Sequence, residues 1–592
     1  MRSHLVVFFW ILCSLSSKAQ IATGILDINN LRVGVSANGM LFYDETEQEP
    51  MFEVPADSGT FTFRASHLWI GGMSPDQEIK LAASTYNDVG HDFWSGPLST
   101  EGSASISSNT IAAYNHVWKV NQSDLQLHVA YYTAVENGTE DILFPDGYTI
   151  PSYFFDWPAH GASNLNQAPY LAPFFDFNGD GNYDPEDGDC PLICGDQALY
   201  IIFNDKGDVH SQSGGAAMGV EVHAMIYAFG DNEEPHDIVE RTVFVRYRII
   251  NRGTQTFTNT YIGQFADMNH GNPDDDHAAC FVNRGAFSGT NGDEFDEPFA
   301  GGENFGGALG IQNVMFLRGA TMDANASDDP YPYNDGVPFA QTYANASFGF
   351  GDGIEDNEQL GLSSFVSYVN DSHPIFGQPS QASHYYNYLR GLWKNSQPMV
   401  YYYSPFEPLP SQQVLCDYMY PGVSDPQNAG TGGFAISGWS ESASANPPGD
   451  RCAIGSTGPF TFSPGDEQTI DLAFVYSGSP SFAINANHLQ TISAYFNDSI
   501  TDCLAGEFVI PVQELNEPSA LSIYPNPVHS LLHVKHGHPF RSARWTVLNS
   551  LGEELKSGIY QGNIDASDLS NGMYILRFEN DRTVYTTRFI KE

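Results

Sequence analysis

The sequence predicts a mostly β protein, built of tandem antiparallel β-sandwich-like domains with long loops and few helices, followed by a small C-terminal β-sandwich. Short runs of β-branched and aromatic residues recur along the chain, separated by Gly, Asn, Asp and Pro, which is typical of all-β architecture. Helical periodicity is scarce. With 41% hydrophobic residues among 592, the chain can bury sizeable cores, and two packed sheets are a natural way to bury such strands.

The clearest predicted strand covers residues 242–249, where apolar side chains alternate with Arg246 and Arg248, so that both arginines face away from the core. Further strands are predicted at residues 199–203, 220–229, 257–265, 400–403, 460–462 and 470–476. Apolar residues at helical spacing predict two short packing helices, near residues 385–393 and 489–496. Two segments rich in Asn, Asp, Gly, Ser and Pro, residues 321–337 and 423–450, are predicted to be surface loops.

The first residues have the pattern of a secretory signal peptide. Arg2 precedes an apolar run over residues 5–15, and Ser17-Lys18-Ala19 forms a small-residue cleavage site before Gln20. The run is too short to span a bilayer, and no other stretch of about 20 apolar residues occurs. We therefore expect export, a mature chain that begins near Gln20, and no transmembrane anchor after signal removal.

The distribution of charge predicts a domain boundary near residues 510–520. Residues 521–592 carry 8 Lys+Arg and 7 Asp+Glu, whereas residues 20–520 carry 14 and 64. The polar stretch between them ends in turn-forming residues, as a linker does. The predicted order is a signal peptide at 1–19, a β-rich region with an acidic loop at 20–235, a second β-rich region at 236–510, a linker at 511–520 and a separate domain at 521–592.

The whole chain is strongly acidic. It carries 24 Lys+Arg against 71 Asp+Glu, a formal net charge of 24 − 71 = −47. A nucleic-acid-binding protein of the usual basic kind is therefore excluded. Such acidity suits either cation binding or solubility in a salty medium.

The cysteines indicate an oxidising compartment. Six remain after signal removal: Cys190, Cys194, Cys280, Cys416, Cys452 and Cys503. An even number in an exported chain favours disulfides over metal thiolates, and no CxxC motif is present. Cys190 with Cys194, and Cys416 with Cys452, are candidate pairs, but the spacing leaves the pairing open.

The C-terminal segment contains a distinctive series of motifs. These are Tyr524-Pro525-Asn526-Pro527, then Trp545-Thr546-Val547-Leu548-Asn549 with Leu551-Gly552, then Ser570-Asn571-Gly572-Met573-Tyr574, and the tail Arg588-Phe589-Ile590-Lys591. Pro and Asn-Gly punctuate alternating strands, which predicts a small antiparallel sandwich.

In their order and terminal position these motifs resemble the type A C-terminal sorting domain of cargo proteins of the type IX (Por) secretion system. The resemblance implies an immunoglobulin-like β-sandwich at residues 521–592 that the type IX secretion machinery recognises. It also implies Sec export to the periplasm and translocation across the outer membrane, so that the protein is secreted or placed on the outer cell surface. The body resembles uncharacterised cargo of the same route, through segments such as Trp157-Pro158-Ala159-His160-Gly161, and this second resemblance implies no activity.

An acidic loop at residues 176–187 has the spacing of an EF-hand-type calcium loop. Oxygen ligands stand at loop positions 1, 3, 5, 9 and 12, and Gly181 at position 6 permits the sharp turn. The predicted ligands are Asp176, Asn178, Asp180, Asp184 and Asp187, with the backbone carbonyl of Asn182 at position 7. Pro173 and Pro185 disfavour flanking helices. We therefore predict a structural Ca²⁺ on a β scaffold, and the alternative is a solvated turn rich in Asp and Asn.

Two further acidic clusters are weaker calcium candidates. The first contains Asp267, Asn269, Asp274, Asp275 and Asp276, and the second contains Asp352, Glu355, Asp356 and Glu358. Carboxylates crowded this closely repel one another unless they are protonated, solvated or bridged by a cation. From these clusters we predict Asp267, Asn269, Asp274, Asp276, Asp352 and Asp356 as metal ligands, with solvated acidic loops as the alternative.

No catalytic signature stands out in the sequence. The motifs HExxH, GxSxG and GxxxxGK[ST] are absent, so zincin, α/β-hydrolase and P-loop chemistry lack their usual marks. The two carboxylates of a glycosidase could still converge in the fold without any motif. Trp69, Trp94, Trp118 and Trp393 are candidate sugar platforms, although such tryptophans are more often core residues. We interpret His160 as a residue that packs in a turn.

Three functions remain open. The preferred hypothesis is a calcium-stabilised, surface or secreted protein that binds glycans, surface polysaccharide or other cells without catalysis. The alternative is a secreted polysaccharide hydrolase, which a buried carboxyl pair in a pocket would favour. The third is a structural component of an extracellular layer, which a large exposed apolar patch and self-assembly would favour.

Overall fold

The computed structural model describes residues 20–87, 90–230, 238–299, 302–329, 348–444, 446–501, 503–504, 522–535, 544–549, 554–560, 562–580 and 583–592. The predicted signal peptide and linker lie outside these residues, as does the second half of the predicted loop at 321–337. The chain divides into two compact units, Met1–Glu507 and Phe508–Glu592.

The first unit consists mainly of antiparallel strands. They are β1 Thr23–Leu26, β2 Arg32–Ser36, β3 Tyr43–Asp44, β4 Glu49–Pro50, β5 Phe52–Glu53, β6 Phe61–Phe63, β7 Ala65–Met73, β8 Ile79–Ala83, β9 Trp94–Ser95, β10 Trp118–Asn121, β11 Phe174–Phe175, β12 Cys190–Pro191, β13 Gln197–Asn204, β14 Val220–Ala228, β15 Thr242–Asn251, β16 Phe257–Asp267, β17 Asp276–Phe281, β18 Ala286–Asn291, β19 Ile311–Arg318, β20 Ser364–Val369, β21 Arg451–Phe462 and β22 Glu467–Tyr476.

Helices are few in this unit. The α-helices are α1 Ser108–Ala113, α2 Gln122–Asn137, α3 Glu140–Leu143, α4 Ala382–Leu389 and α5 Phe482–Tyr495. Short 3-10 helices occur at Ser152–Asp156, Ser163–Leu165, Pro185–Asp187, Val239–Arg241, Val282–Arg284 and Ala429–Thr431, and α5 continues into a π turn at Phe496–Ile500. Among the described residues, no helix has the length and apolar character needed to cross a membrane.

Two sheets form the body. The large sheet has the order β10-β13-β14-β15-β22-β19-β18-β17, with β9 paired to β13, and the second sheet has the order β20-β21-β16-β7-β8. A four-stranded sheet, β1-β2-β5-β6, and the hairpins β3–β4 and β11–β12 complete the unit. One apolar core contains buried side chains of both sheets, such as Val245 and Leu472 from the large sheet and Phe265 and Ile454 from the second. The body is therefore β-sandwich-like, as predicted.

Strand β15 shows how the sequence pattern builds this sandwich. Val245 and Tyr247 are completely buried in the core, and burial of an aliphatic side chain such as Val245 stabilises the fold by about 1.5–3 kcal/mol. Arg246 and Arg248 alternate with them and lie on the opposite face, as predicted. Asp471 of β22 is the direct partner of Arg246 in the ladder. The outer face of the large sheet is therefore polar at its centre.

Two sequence-based expectations need correction. Residues 400–403 do not form a strand, because Val400 makes one isolated bridge to Leu415 and the chain then turns, with a positive φ of 63° at Tyr402. The boundary predicted between residues 235 and 236 does not separate two units, since β14 and β15 on either side of it pair along their length. Each of the two main sheets contains strands from both residues 20–235 and residues 236–510, so the two regions fold together.

The second unit is a small antiparallel sandwich. Its strands are β23 Ser522–Tyr524, β24 Leu531–Lys535, β25 Arg544–Leu548, β26 Glu554–Ile559, β27 Ile564–Asp565, β28 Gly572–Asn580 and β29 Thr583–Lys591. They form one sheet of order β23-β24-β27 and another of order β26-β25-β28-β29. A compact core that includes Val528, Leu532, Trp545 and Phe589 lies within this unit.

Candidate functional site

The predicted calcium loop connects the two strands of the hairpin β11–β12, so it sits on a β scaffold as expected. The Asp176 carboxylate organises its first half, because Oδ1 accepts from the N–H of Gly179 at 2.7 Å and Oδ2 from that of Gly181 at 2.8 Å. Asp180 is exposed, and its carboxylate accepts from the N–H of Asn182 at 2.7 Å, which lowers the pKa of the Asp180 carboxyl. The Asn178 side chain accepts from the Asp180 N–H at 2.9 Å.

The second half of the loop depends on Asp189, a residue that the spacing did not predict. Its buried carboxylate accepts from the N–H of Phe177 and from the N–H of Asp184, each at 2.8 Å, and so joins the two ends of the loop. Burial raises the pKa of the Asp189 carboxyl. The Asp184 carboxylate caps the 3-10 helix Pro185–Asp187 by accepting from the N–H of Glu186 at 2.9 Å. Asp187 is exposed at the end of that helix. The predicted ligands at loop positions 1, 3 and 5 therefore share one turn, whereas the ligand at position 9 caps the following 3-10 helix and the ligand at position 12 is its last residue.

An aromatic cluster packs against this loop. His160 fixes the loop backbone, because its Nε2 accepts from the N–H of Tyr183 at 3.0 Å while its Nδ1 donates to the carbonyl of Pro169 at 2.8 Å. The His160 ring lies 5.4 Å from that of Tyr170 and 5.3 Å from that of Phe174. His160 therefore acts in packing, and Tyr170, which is 57% exposed, presents its ring to solvent.

The aromatic cluster forms one side of a cavity of about 560 Å³ on the outer face of the large sheet. The cavity floor consists of side chains from adjacent strands: Tyr200 of β13, His223 and Met225 of β14, Arg246 and Arg248 of β15, Glu467 and Thr469 of β22, and Arg318 of β19. The residues 170–174, Leu192 and Leu504 line the rest. Neighbouring strands in register bring these side chains together, although they are distant in sequence.

The floor of this cavity concentrates positive charge. Asp471 accepts from Arg246 at 2.7 Å and forms a second ion pair with Arg318 at 3.0 Å, so two guanidinium groups share one carboxylate. Arg248 pairs with Glu467 at 2.7 Å, and both side chains are about two-fifths exposed. These five groups carry a net charge of 3 − 2 = +1. Such an excess is unusual in a chain with a net charge of −47.

A buried network supports the floor from the side of β14. The Glu221 carboxylate is completely buried, and it accepts from His223 Nε2 at 2.9 Å and from Arg252 at 2.6 Å. Burial alone would raise the pKa of Glu221, but the bonds from His223 and the charge of Arg252 hold that pKa at about 2. The hydroxyl of Tyr200 donates to the carbonyl of Leu171 at 3.3 Å and lies 2.9 Å from His223 Nδ1, which fixes the imidazole beside the cavity.

The disulfide pattern differs from both candidate pairs. Cys194 bonds to Cys503, with the two Cα atoms 5.4 Å apart. The other described cysteines, Cys190, Cys280, Cys416 and Cys452, are free and buried. The candidate pairs Cys190–Cys194 and Cys416–Cys452 were wrong because pairing follows distance in the fold rather than spacing in sequence. The disulfide lies at the cavity edge, where Arg246 donates to Cys503 Sγ at 3.4 Å.

The acidic cluster that contains Asp267 and Asn269 is only partly assembled as predicted. Asp267 ends β16 opposite Cys452 of β21, and this pairing brings it to Asp450. One ligand atom from each of Asp267, Asp450 and Cys452 lies within 4.8 Å of the other two. Asn269 and Asp450 line a second cavity of about 330 Å³. Asp274 is exposed, and Asp276 bonds instead to the N–H of His270 at 3.0 Å.

The acidic cluster that contains Asp352 and Asp356 connects two loops through hydrogen bonds to backbone N–H groups. Asp356 accepts from the N–H groups of Asn325 and Ala326 at 2.6 and 2.8 Å, while Asp352 accepts from the N–H of Ile354 at 2.8 Å. Both carboxylates are exposed, or nearly so, and they act here as loop fasteners. Among the described residues, Asp352 and Asp356 do not belong to a group of three or more ligand side chains that lie close enough to share one ion.

The candidate tryptophan platforms belong mainly to the core. Trp69 and Trp393 are completely buried, and Trp118 is 7% exposed and donates to the carbonyl of Asp156 at 2.7 Å. Trp94 is half-buried beside Gly207. The exposed aromatic surface at the cavity comes from Tyr170 rather than from any of these tryptophans.

In the C-terminal unit the Tyr524-Pro525-Asn526-Pro527 motif is fastened to the last strand. Asn526 Oδ1 accepts from the N–H of Ile590 at 2.9 Å, and the N–H of Val528 donates to the carbonyl of Ile590 at 2.8 Å. The first and last motifs of the unit are therefore adjacent, although they are far apart in sequence.

Comparison with known proteins identifies this unit. Residues 522–592 match the family described as the secretion system C-terminal sorting domain. No curated protein matches the chain. A solved polysaccharide lyase is similar with a TM-score of 0.16 and 5% identity, over 63% of this chain and 34% of the lyase. The chain is cargo of the type IX secretion system, carries a C-terminal sorting domain, and is exported to the cell surface or secreted.

Proposed function

We propose that this exported protein binds an anionic saccharide in the cavity on the outer face of the large sheet, and that calcium in the loop 176–187 stabilises one side of that cavity. The observation that carries the proposal is the convergence of Arg246 and Arg318 on the single carboxylate of Asp471 at the cavity floor.

The charge of the cavity supports an anionic ligand. Arg246 and Arg318 share the one carboxylate of Asp471, and each also donates to the neutral carbonyl of Thr501, at 3.3 and 3.2 Å, so these groups together keep a positive charge. An arginine fork matches the geometry of a carboxylate or sulfate group. Because the surrounding protein is strongly acidic, an anion would meet attraction mainly at this point. A uronic acid or a sulfated sugar has the required chemistry.

The aromatic side of the cavity supports a sugar. Tyr170 and Phe174 stack with their ring centroids 6.4 Å apart, and both line the cavity. Ligand sites combine such apolar surface with a few placed polar groups, and tyrosine offers a large contact area at low entropic cost. The cavity therefore has an apolar side for the sugar ring and a charged floor for its acidic substituent.

Calcium fits the proposal through the loop. Strand β11, which contains Phe174, immediately precedes the loop, and the Tyr170 hydroxyl lies 3.5 Å from the carbonyl of Gly181. Carboxylates and carbonyls are the ligands that Ca²⁺ prefers. An ion held by Asp176, Asn178 and Asp180 would order the turn on which these aromatic rings rest.

Calorimetric titration of the full chain with an oligogalacturonate and with a neutral oligosaccharide of equal length tests the proposal. We expect binding of the acidic sugar, and Arg318→Gln should weaken it about tenfold or more, the usual effect of removing a charge-assisted bond. Arg390→Gln is the matched control, since Arg390 is exposed and lies over Tyr386, away from the cavity. Equal binding of both sugars, or of neither, contradicts the proposal.

A polysaccharide hydrolase is the second candidate, and one observation favours it. Asp267 and Asp450 are a close carboxyl pair beside the 330 Å³ cavity, and burial together with the charge of Asp450 raises the pKa of Asp267 well above its usual range. Such a pair can supply a general acid. Release of reducing ends that Asp450→Asn abolishes would establish this activity.

A further inference from the structure

Three oxygen atoms around the 330 Å³ cavity are buried without a hydrogen-bond partner among the described residues. They are Asp267 Oδ1, Asn269 Oδ1 and Asp450 Oδ1. The other oxygen of each carboxylate is occupied: Asp267 Oδ2 accepts from the Tyr86 hydroxyl, and Asp450 Oδ2 accepts from Asn370 at 2.8 Å. Leaving buried acceptors unpaired costs about 1–3 kcal/mol each, and more for charged groups. The site therefore has three buried oxygen acceptors for which the described residues supply no donor.

The surrounding charge favours a cation as that partner. The negative charges of Asp274 and Asp276 interact with that of Asp450, and Asp275 interacts with Asp276. Arg64 faces the pair, and its guanidinium lies over the rings of Tyr43 and Tyr86 at 5.7 and 5.9 Å. The other nearby cation, Arg451, is paired with Glu441 at 3.0 Å. A single proton shared by Asp267 and Asp450 would leave Asn269 Oδ1 without a donor, and it would neutralise only one of the two carboxylates.

The geometry and the access route suit an ion. Ligand atoms of Asp267 and Asp450 lie within 4.8 Å of each other, and two oxygens bound to one calcium ion are at most about 5 Å apart. Asn269 and Asp450 both line the cavity, which provides an entry path and room for the waters that complete a coordination shell of about six to eight oxygens.

We propose that Asp267, Asn269 and Asp450 bind a hard divalent cation of the calcium class. The unpartnered atoms are all oxygens, which are the ligands such ions prefer. Cys452 is also close, but its Sγ already contacts the Tyr86 hydroxyl at 3.4 Å, and a thiol is a soft ligand that suits zinc rather than calcium. The site joins the last residue of β16 to the start of β21, so the ion would fasten the end of the second sheet.

The test uses Ca²⁺ and the full chain, with Asp180→Asn as the background so that binding at the loop 176–187 does not interfere. Calorimetry is expected to find one calcium bound in this background and none after the further change Asp450→Asn. Cys452→Ser should retain binding within about threefold. Asp274→Asn, which removes the same charge from an exposed position, should weaken binding only several-fold.

Melting temperatures keep the proposal testable if a variant is less stable. In chelator, Asp450→Asn should melt no lower than its background, because one of two repelling carboxylates is gone. Added Ca²⁺ should raise the melting temperature of the Asp180→Asn protein but not that of the protein that also carries Asp450→Asn. Undiminished calcium binding in Asp450→Asn overturns the proposal. A thiolate-to-cobalt absorption band that Cys452→Ser removes, without calcium binding, also overturns it and identifies a site for softer metals.

Discussion

Cys194 and Cys503 form a disulfide across 309 residues of the chain and hold the segment after α5 against the edge of the cavity. A crosslink that closes so long a loop restricts the unfolded chain strongly. Cys194→Ser/Cys503→Ser is expected to lower the free energy of unfolding by about 2–4 kcal/mol, measured by urea denaturation. The wild type under reducing conditions should match the variant. Alkylation of Cys194 in unreduced, unfolded protein would contradict the pairing.

Removal of calcium is expected to destabilise the hairpin β11–β12. Binding to the folded state alone raises stability by mass action, so the melting temperature of the full chain should rise in excess Ca²⁺ relative to chelator. Asp180→Asn should reduce this rise. Glu186→Gln is the matched control, because Glu186 is an exposed carboxylate of the same loop that is not a predicted ligand. An unchanged melting temperature in Ca²⁺ and chelator would favour the solvated turn.

The Glu221 network makes stability depend on acid pH. The pKa of Glu221 falls from an ordinary 4.5 to about 2 in the folded protein. The stabilisation that its charged carboxylate provides is therefore complete above about pH 4.5 and is lost as pH falls through about 2. A pKa shift of this size contributes about 3 kcal/mol to the free energy of unfolding. Glu221→Gln should therefore unfold more easily than wild type at pH 6, by a margin that shrinks toward pH 2.

The control for Glu221 is Glu78→Gln, since the Glu78 side chain is 69% exposed. The free energy of unfolding of Glu78→Gln should differ from that of the wild type by a small and nearly constant amount over the same pH range. Denaturant titrations at matched ionic strength measure both variants. A margin for Glu221→Gln that does not change with pH would refute a strongly depressed pKa.

Deletion of residues 522–592 is expected to prevent delivery to the cell surface or the medium. The sorting domain is the part that the secretion machinery recognises, so the truncated protein should accumulate in the periplasm, as cell fractionation would show. The substitution Asn526→Ala is a finer test, because it removes the bond to the Ile590 N–H that joins the first and last motifs. Normal delivery of the truncated chain would show that another segment carries the signal.

The calcium-type loop could be found from sequence because its ligands are local. Asp176, Asn178 and Asp180 follow a fixed spacing within one turn, and the structure places them in that turn. Asp189 was missed because it acts across the base of the hairpin, after the recognised motif has ended. In the same way Asp267 was recognised but Asp450 was not, since β16 and β21 pair across most of the second β-rich region.

The sequence by itself determined the secretion route, the β architecture and the outward direction of Arg246 and Arg248, because each depends on local motifs or on period-two alternation. Only the tertiary structure decided which side chains meet. Arg318 reaches Asp471 through the order of strands in the large sheet, and Cys194 reaches Cys503 because the segment after α5 lies at the edge of the cavity on that sheet. Strand order depends on the summed burial of many distant residues, and no short stretch of sequence contains that information.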